Sequence, residues 1–578
     1  MAMGERVHEA PGGGHAGTAH AAAAVVGVLG AGTMGAGIAQ LAARAGARTL
    51  LYDPLPQALK TGLERVQQGL EKEAARRGAA ADGAGQVDAV MARVHGIDDL
   101  AALAPCELVI EAAPERLELK HELFKRVSAI VAETCVLATN TSSLPVTAIA
   151  AAVETPERVV GMHFFNPAPL MRLLEVVAGE RSAESALALA TATGEAMGKT
   201  VIRASDGPGF LVNRCNRPFG LEALRLLQEG ISDVATIDRI CRMQGGFRMG
   251  PFELMDLVGI DTGLAVSESF YRQSFGEPRW RPSPITARYV AAGMYGRKSA
   301  RGYYDYSPEP PEGEGDAGPR RVEDPEPLSA APPGRGEGVV VISGQGDPAE
   351  ELRTAARAAG YEVRSPHDPT GGVLPALIVD CDATPSKRAR AGDGMRPDRR
   401  GSAPPQGGAH LVMVGAGSLS ALDPGGSAVG FHVLPPLADA RLVELTRGES
   451  SSPLAAARAE RFFAALGKHV AWVGDAPGLV LGRMVCQVIN ESAFAVAEGV
   501  GAARDVDTGM ALGMNYPRGP LEWADAIGLD RVLALLEALC DEYREERYRP
   551  APLLQRLVRA GRLGRASGAG FFDYPAAS

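Results

Sequence analysis

A histidine and a glutamate twelve residues apart occur twice in this chain: His163 with Glu175 inside GMHFFNPAPLMRLLEV (161–176), and His432 with Glu444 inside GFHVLPPLADARLVEL (430–445). An imidazole held by a carboxylate has its tautomer fixed and its imidazolium stabilised, which is what a general base needs to accept the proton of an alcohol. Taken alone, such a pair is more often a structural hydrogen bond, so the surrounding segments must decide. In the first copy VVGMHFF and RLLEVV read as two strands joined by the proline-rich turn NPAPLM, a return that sets His163 opposite Glu175.

The segment before the first pair carries a phosphate-binding pattern. VVGVLGAGTMGAGIAQLAARAGARTLLYD (25–53) places Gly30, Gly32 and Gly35 in GxGxxG spacing between an apolar strand and a helical pattern, with Thr33 and Met34 in the same turn. The first glycine permits the tight turn and the second lets backbone approach a pyrophosphate at the helix N-terminus. The third allows close helix packing. A second strand, TLLY, ends in Asp53, where a carboxylate accepts hydrogen bonds from an adenosine ribose and repels a 2′-phosphate; the cofactor implied is NAD rather than NADP. ELVIEAAPERLELKHELFKRV (107–127) and CVLATNTSSLPVTAIA (135–150) each continue the alternation of strand and helix, so the fold class expected here is α/β, a doubly wound Rossmann domain. Ligands of such sheets lie beyond the carboxyl ends of the strands, which puts Glu111, Glu115, Asn140, Thr141 and Ser142 on the binding edge. With a hydride acceptor beside it, the His163–Glu175 pair reads as chemistry.

These motifs, together with DGPGFLVNR (206–214), GGFRMGPFELMDLVGID (245–261) and GRKSARGYYDY (296–306), follow one another as in the L-3-hydroxyacyl-CoA dehydrogenase family, which positions 25 to about 306 resemble. The resemblance implies NAD-dependent oxidation of a 3-hydroxyacyl-CoA, with His163 taking the 3-hydroxyl proton and Glu175 as its partner. It implies that Ser142 and Asn213 contact the substrate hydroxyl and thioester region. Asp53, Glu115, Lys120, Asn140 and Asn166 would join the glycine turn in holding NAD. No metal is required. The family grips the CoA nucleotide with the helical segment after its second strand, here 56–78; on its own residues (Arg65, Lys72, Arg76 and Arg77 among them) that segment reads as a solvated charged helix. The tandem layout described next resembles bacterial enzymes acting on 3-hydroxybutyryl-CoA or 3-hydroxyadipyl-CoA. A dehydrogenase of a free hydroxy acid, or an NAD(H)-binding protein without turnover, stands as the alternative.

Length requires more than one core. A chain of 578 residues implies roughly three to five domains. We expect a disordered tail over 1–24, the NAD-binding domain over 25–204, an all-α domain over 205–306, a Pro, Gly and charge-rich linker over 307–337, a degenerate Rossmann-like domain over 338–474 and a second all-α domain over 475–578. GQGDPA (344–349) has Ala349 at the third glycine position, and a polar insertion over 383–409 interrupts the third domain. NTSSL becomes GAGSL (415–419), HFFNP becomes HVLPP, and GPGFLVNR becomes APGLVLGR (476–483), with Gly482 replacing the asparagine. His432 and Glu444 therefore read as a structural hydrogen bond left by duplication. The single-copy family resembles a homodimer paired through its helical domains, so 475–578 is expected to cap 205–306 as an intrachain pseudo-dimer, with a further homo-oligomer left open. A formal charge of −10 and a pI near 5.6 argue against nucleic acid. Seven scattered cysteines without CxxC suit a reducing cytoplasm, and AAAAVVGVLG (21–30) is too short for a membrane span.

Overall fold

The computed structural model describes residues 21–76, 83–307, 336–368, 373–385 and 408–575. The expected tail up to residue 20, most of the linker (308–335) and most of the insertion (386–407) lie outside the described residues. The described chain divides into two compact units, one ending at Asp206 and one beginning at Gly207. The second unit gathers both helical segments and the second sheet, which the sequence divides among three domains.

In the first unit the strands are β1 (Val25–Leu29), β2 (Arg48–Tyr52), β3 (Val94–Ile97), β4 (Leu108–Glu111), β5 (Val136–Thr139), β6 (Val159–Phe164), β7 (Leu173–Ala178) and β8 (Thr200–Ser205). They form one sheet in the order β3-β2-β1-β4-β5-β6-β7-β8. β1 to β6 are mutually parallel, β7 runs antiparallel to β6, and β8 is parallel to β7. Covered on both faces, such strands are continuous apolar runs; Val26, Val28, Leu108 and Ile110 are fully buried. The order reverses between β1 and β4, which opens the ligand crevice at their carboxyl ends.

The second unit repeats this plan with one piece missing. Its strands β9 (Val339–Ser343), β10 (Glu362–Arg364), β11 (Leu377–Asp380), β12 (Ala409–Met413), β13 (Val429–His432), β14 (Leu442–Arg447) and β15 (His469–Trp472) pair in the order β10-β9-β11-β12-β13-β14-β15. Again one strand, β14, turns antiparallel to its neighbour β13. Only residues 365–376 separate β10 from β11, too few for a counterpart of the helices Pro56–Arg76 and Gly83–Met91 that follow β2.

The helical parts of the second unit correspond one to one. Val212–Gln228, Val234–Met243, Pro251–Val258, Ile260–Gln273 and Pro284–Ala291 match Leu481–Ala497, Ala503–Gly513, Pro520–Ile527, Leu529–Tyr543 and Pro552–Arg559. Proline opens several of them at a position whose N–H has no intrahelical acceptor. The GPFELMD motif and its echo GPLEWAD prove to be structural: Asp256 accepts the N–H groups of Tyr303 and Tyr304, and Asp525 those of Phe571 and Phe572. Helix Val212–Gln228 packs on helix Leu481–Ala497 through reciprocal ion pairs. Arg214 reaches Glu491 (2.8 Å) and Glu498 (2.7 Å), while Arg483 reaches Glu222 and Glu229 (2.7 Å to the latter). Each glutamate stands at the same offset from the arginine of its own helix, so the contact is self-complementary, as in a two-fold dimer.

Candidate active site

The glycine turn is built as its spacing requires. Gly30 has φ +98°, and a Cβ there would stand 2.7 Å from the Ala112 carbonyl oxygen. A Cβ on Gly35 would stand 1.8 Å from the Gly30 carbonyl oxygen, so the helix rests directly on the turn. A Cβ on Gly32 would meet nothing within 4 Å. Gly32 is the N-cap of helix Thr33–Arg44, which has neither a side-chain cap nor an acidic residue in its first turn. Uncapped N–H groups, a positive helix end and open space at Gly32 fit a dinucleotide pyrophosphate. Asp53 accepts from the N–H groups of Ala31 (2.9 Å) and Leu55 (3.0 Å), which ties the end of β2 to the turn and fixes the carboxylate beside it.

At the ends of β4 and β5 a charged network holds the next loop. Lys120, 1% exposed, donates to both oxygens of Glu111 (2.7 and 2.9 Å) and lies 3.2 Å from Glu115. Glu111 is fully buried, also accepting from Thr139 Oγ1 (2.7 Å) and Ala113 N (2.6 Å); this corrects its placement on the binding edge, because its carboxylate turns inward to neutralise a buried ammonium. Glu115 accepts from Thr141 Oγ1 (2.6 Å) and from the backbone N–H groups of Ser142 and Ser143 (3.0 Å each). Burial alone would raise the pKa of Glu115, but the charge of Lys120 and these hydrogen bonds hold it below the usual carboxylate range. Lys120 and Glu115 thus shape the loop that presents Ser142, which is exposed.

His163 and Glu175 face one another across β6 and β7, in register, with Nδ1 and Oε2 2.6 Å apart. Glu175 is fully buried and His163 nearly so. The Phe165 ring packs 4.7 Å from the imidazole, and Asn140 Oδ1 accepts the Phe164 N–H (2.8 Å), fastening the end of β5 to the end of β6. Asn166 follows, exposed, in the turn. Sequence reasoning missed Lys199, whose ammonium donates to the carbonyls of Ala168 (2.6 Å) and Met171 (2.7 Å) and clasps that turn. Burial pulls its pKa down to about 8. Lys468 repeats the clasp on Leu437 and Ala440, a signal visible once the two halves are aligned. Asn213 lies in the first turn of helix Val212–Gln228, in the second unit.

The second copy corrects one expectation. His432 and Glu444 stand in cross-strand register, yet no hydrogen bond joins them. Glu444 accepts instead from the N–H groups of Val480 (2.7 Å) and Leu481 (3.1 Å), at the start of the next helix, and His432 Nδ1 is buried without a partner. The imidazole has moved into the room left by the missing asparagine side chain: a Cβ on Gly482 would stand 2.2 Å from His432 Cε1. Desolvation holds His432 neutral, with its pKa lowered to about 4, and raises Glu444 to about 8 despite its two backbone donors. The second glycine turn is equally altered. Helix Asp347–Ala358 opens with Asp347 and Glu350, like charge for a pyrophosphate, and Arg531 donates to the Gln345 carbonyl. A cavity of about 390 Å³ remains at the strand ends, lined by Met413, Gly415, His432, Leu434, Cys486 and Leu535 among others.

A doubly wound sheet with an open glycine turn, an acidic end to β2 and a buried His–Glu pair defines an NAD-dependent dehydrogenase of Rossmann type. Residues 25–207 match the 3-hydroxyacyl-CoA dehydrogenase NAD binding domain, and residues 209–306 and 478–574 each match that family's C-terminal domain. The chain belongs to the 3-hydroxyacyl-CoA dehydrogenase family. It is 34% identical over 536 residues, 92% of this chain and 96% of the relative, to 3-hydroxyadipyl-CoA dehydrogenase of Escherichia coli (strain K12). A probable 3-hydroxybutyryl-CoA dehydrogenase of Deinococcus radiodurans is 40% identical over 280 residues, 48% of this chain and 99% of the relative. A crystal structure of 3-hydroxybutyryl-CoA dehydrogenase from Escherichia coli K12 superposes with a TM-score of 0.73 at 32% identity, covering 93% of this chain and 99% of that one. The protein is thus an oxidoreductase using NAD, not an NAD(H)-binding protein without turnover.

Proposed function

We propose that His163 is the general base in the NAD-dependent oxidation of a short (S)-3-hydroxyacyl-CoA. The observation that carries this reading is the buried 2.6 Å contact between His163 Nδ1 and Glu175. With Nδ1 donating to the carboxylate, Nε2 takes the 3-hydroxyl proton, and Glu175 stabilises the imidazolium that forms. Bound NAD supplies the hydride acceptor for C3. Ser142 and Asn213 orient the hydroxyl and thioester, and in the reverse direction His163 returns its proton to the 3-oxo group. Gly30, Gly32, Thr33, Met34 and Gly35 cradle the pyrophosphate, Asp53 the ribose, and Asn140 and Asn166 the nicotinamide end. Lys120 and Glu115 act by holding the loop that carries Ser142. Relatives named for 3-hydroxybutyryl-CoA and 3-hydroxyadipyl-CoA support a short acyl group. None of the seven cysteines forms a disulfide, which suits a reducing cytoplasm; among the described residues no helix is long and apolar enough to cross a membrane.

NADH oxidation with acetoacetyl-CoA, set against free acetoacetate, tests the substrate class; activity on the free acid alone would select the hydroxy-acid alternative. His163→Gln should lower turnover about 100-fold or more while NAD binding is kept, the size of effect expected for loss of a general base. A variant that kept wild-type turnover would remove His163 from this role.

A further inference from the structure

Helix Val212–Gln228 carries three arginines, and two of them are matched with carboxylates. Arg214 pairs with Glu491 and Glu498, and Arg225 with Glu545 and Glu229. Among the described residues Arg217 has no acidic partner. Its Nη1 lies 3.4 Å from Ser267 Oγ, at the limit of a hydrogen bond, and its guanidinium stands 4.5 Å from the centre of the Phe270 ring. Its Nε is buried with no acceptor at all. Desolvation without a counter-charge lowers its pKa to about 10, which leaves it cationic at neutral pH. A half-buried guanidinium with one marginal contact and an unpartnered Nε has donors to spare, and an incoming carboxylate would supply the missing acceptor.

The duplicate shows where the equivalent position faces within its own copy. Aligning GPGFLVNRCNR with APGLVLGRMVC sets Gly482 at the place of Asn213 and Cys486 at the place of Arg217. Cys486 lines the 390 Å³ cavity, together with His432, the counterpart of His163. Ser267 and Phe270 correspond to Leu536 and Leu539, so the second copy has lost the arginine and replaced its polar and aromatic neighbours by aliphatic ones. Within the first copy, Arg217 follows Asn213 by four residues and therefore shares its helix face about one turn, ~5.4 Å, further along.

We propose that Arg217 binds the distal carboxylate of a dicarboxylic 3-hydroxyacyl-CoA and so selects this substrate class. The inference rests on the reading above that Asn213 contacts the substrate near its reacting end. From there the acyl tail meets the guanidinium only a few carbons beyond C3, a distance that suits a short dicarboxylic chain and lies beyond the end of a butyryl group. The planar guanidinium can take both carboxylate oxygens, with the Phe270 face behind it, and the charged tail thereby gains a partner that an uncharged tail cannot use.

The test uses the full-length protein with 3-hydroxyadipyl-CoA and 3-hydroxyhexanoyl-CoA, which share a chain length and differ in the terminal carboxylate. The wild type should favour the dicarboxylic substrate in kcat/KM. Arg217→Gln should reduce that ratio about 30-fold, mainly through KM for the dicarboxylic substrate, as expected for loss of a charge-assisted contact, and Arg217→Lys should retain part of it. Should the glutamine variant fold poorly, Arg217→Lys carries the assignment to this residue, and inhibition of the wild type tests the carboxylate preference itself: adipyl-CoA should bind more tightly than hexanoyl-CoA. A wild type that prefers the uncharged chain, or a ratio unmoved by Arg217→Gln, would overturn the assignment. Turnover of neither thioester by the wild type, or wild-type rates on both by His163→Gln, would instead overturn the reading of the active site beneath it.

Discussion

At Gly482 a side chain would collide with His432, whereas the aligned position in the first half is Asn213. That exchange separates a His–Glu pair joined by a hydrogen bond from one that merely shares a register. The pattern HxxxxxxxxxxxE is legible in sequence and places both pairs correctly on neighbouring strands. Whether the side chains meet is not legible, because Glu444 is drawn away by N–H groups 36 and 37 residues downstream. The consequence can be measured. Glu444 titrates near 8 in the fold and near its ordinary value when unfolded, so between those limits the folded state keeps a proton that the unfolded state loses. Stability must then fall as pH rises through that range. His432, lowered to about 4, has the opposite sign: it costs stability as pH falls below its ordinary value of 6.5. Of these two groups only Glu444 acts above pH 6.5. Urea unfolding between pH 6.5 and 8 should show the wild type losing up to about 1.4 kcal/mol per pH unit relative to Glu444→Gln. Parallel pH profiles for the two proteins would show that Glu444 is ionised in the fold.

Among the elements, the strand–turn–helix at residues 25–44 was the most legible, since a glycine pattern bounded by an apolar run and a helical period has few other solutions. The glycines nevertheless differ in what they do. Gly35 is fixed by packing, with the Gly30 carbonyl where a side chain would begin, while Gly32 faces open space. Gly35→Ala should therefore destabilise the first unit by about 1–3 kcal/mol or more, an overpacking cost, visible as a lowered Tm without cofactor. Gly32→Val should keep the Tm and weaken NADH binding tenfold or more, measured by fluorescence titration, each tenfold being about 1.4 kcal/mol. If the two variants behaved alike, the division between packing and binding would be wrong. Less legible were the Lys199 clasp and the inward turn of Glu111, because each depends on partners that neither periodicity nor motif spacing brings together.

For the whole molecule, the duplication keeps what the helices need and loses what the cofactor needs. The aspartate caps, the lysine clasps and the arginine–glutamate pairs recur in both copies, whereas the second glycine turn has acquired acidic residues and an arginine against its backbone. The second half is best understood through the contact between helices Val212–Gln228 and Leu481–Ala497. Arg483 is fully buried there, held by Glu222, Glu229 and Tyr548, and Arg214 is nearly so on the facing helix. Ending the chain after residue 310 would remove the partners of Arg214, Glu222 and Glu229 together with the apolar surface around them. Breaking one buried pair of this kind costs about 3–5 kcal/mol, because the charge left behind has lost both its partner and its water. The shortened chain can recover those contacts by pairing with a second copy of itself, since the interface is self-complementary. Light scattering after size exclusion should therefore find the 1–310 fragment as a dimer or an aggregate. A fragment that remained monomeric, soluble and as active as the full chain would show that the second half is not needed to cover the helical face.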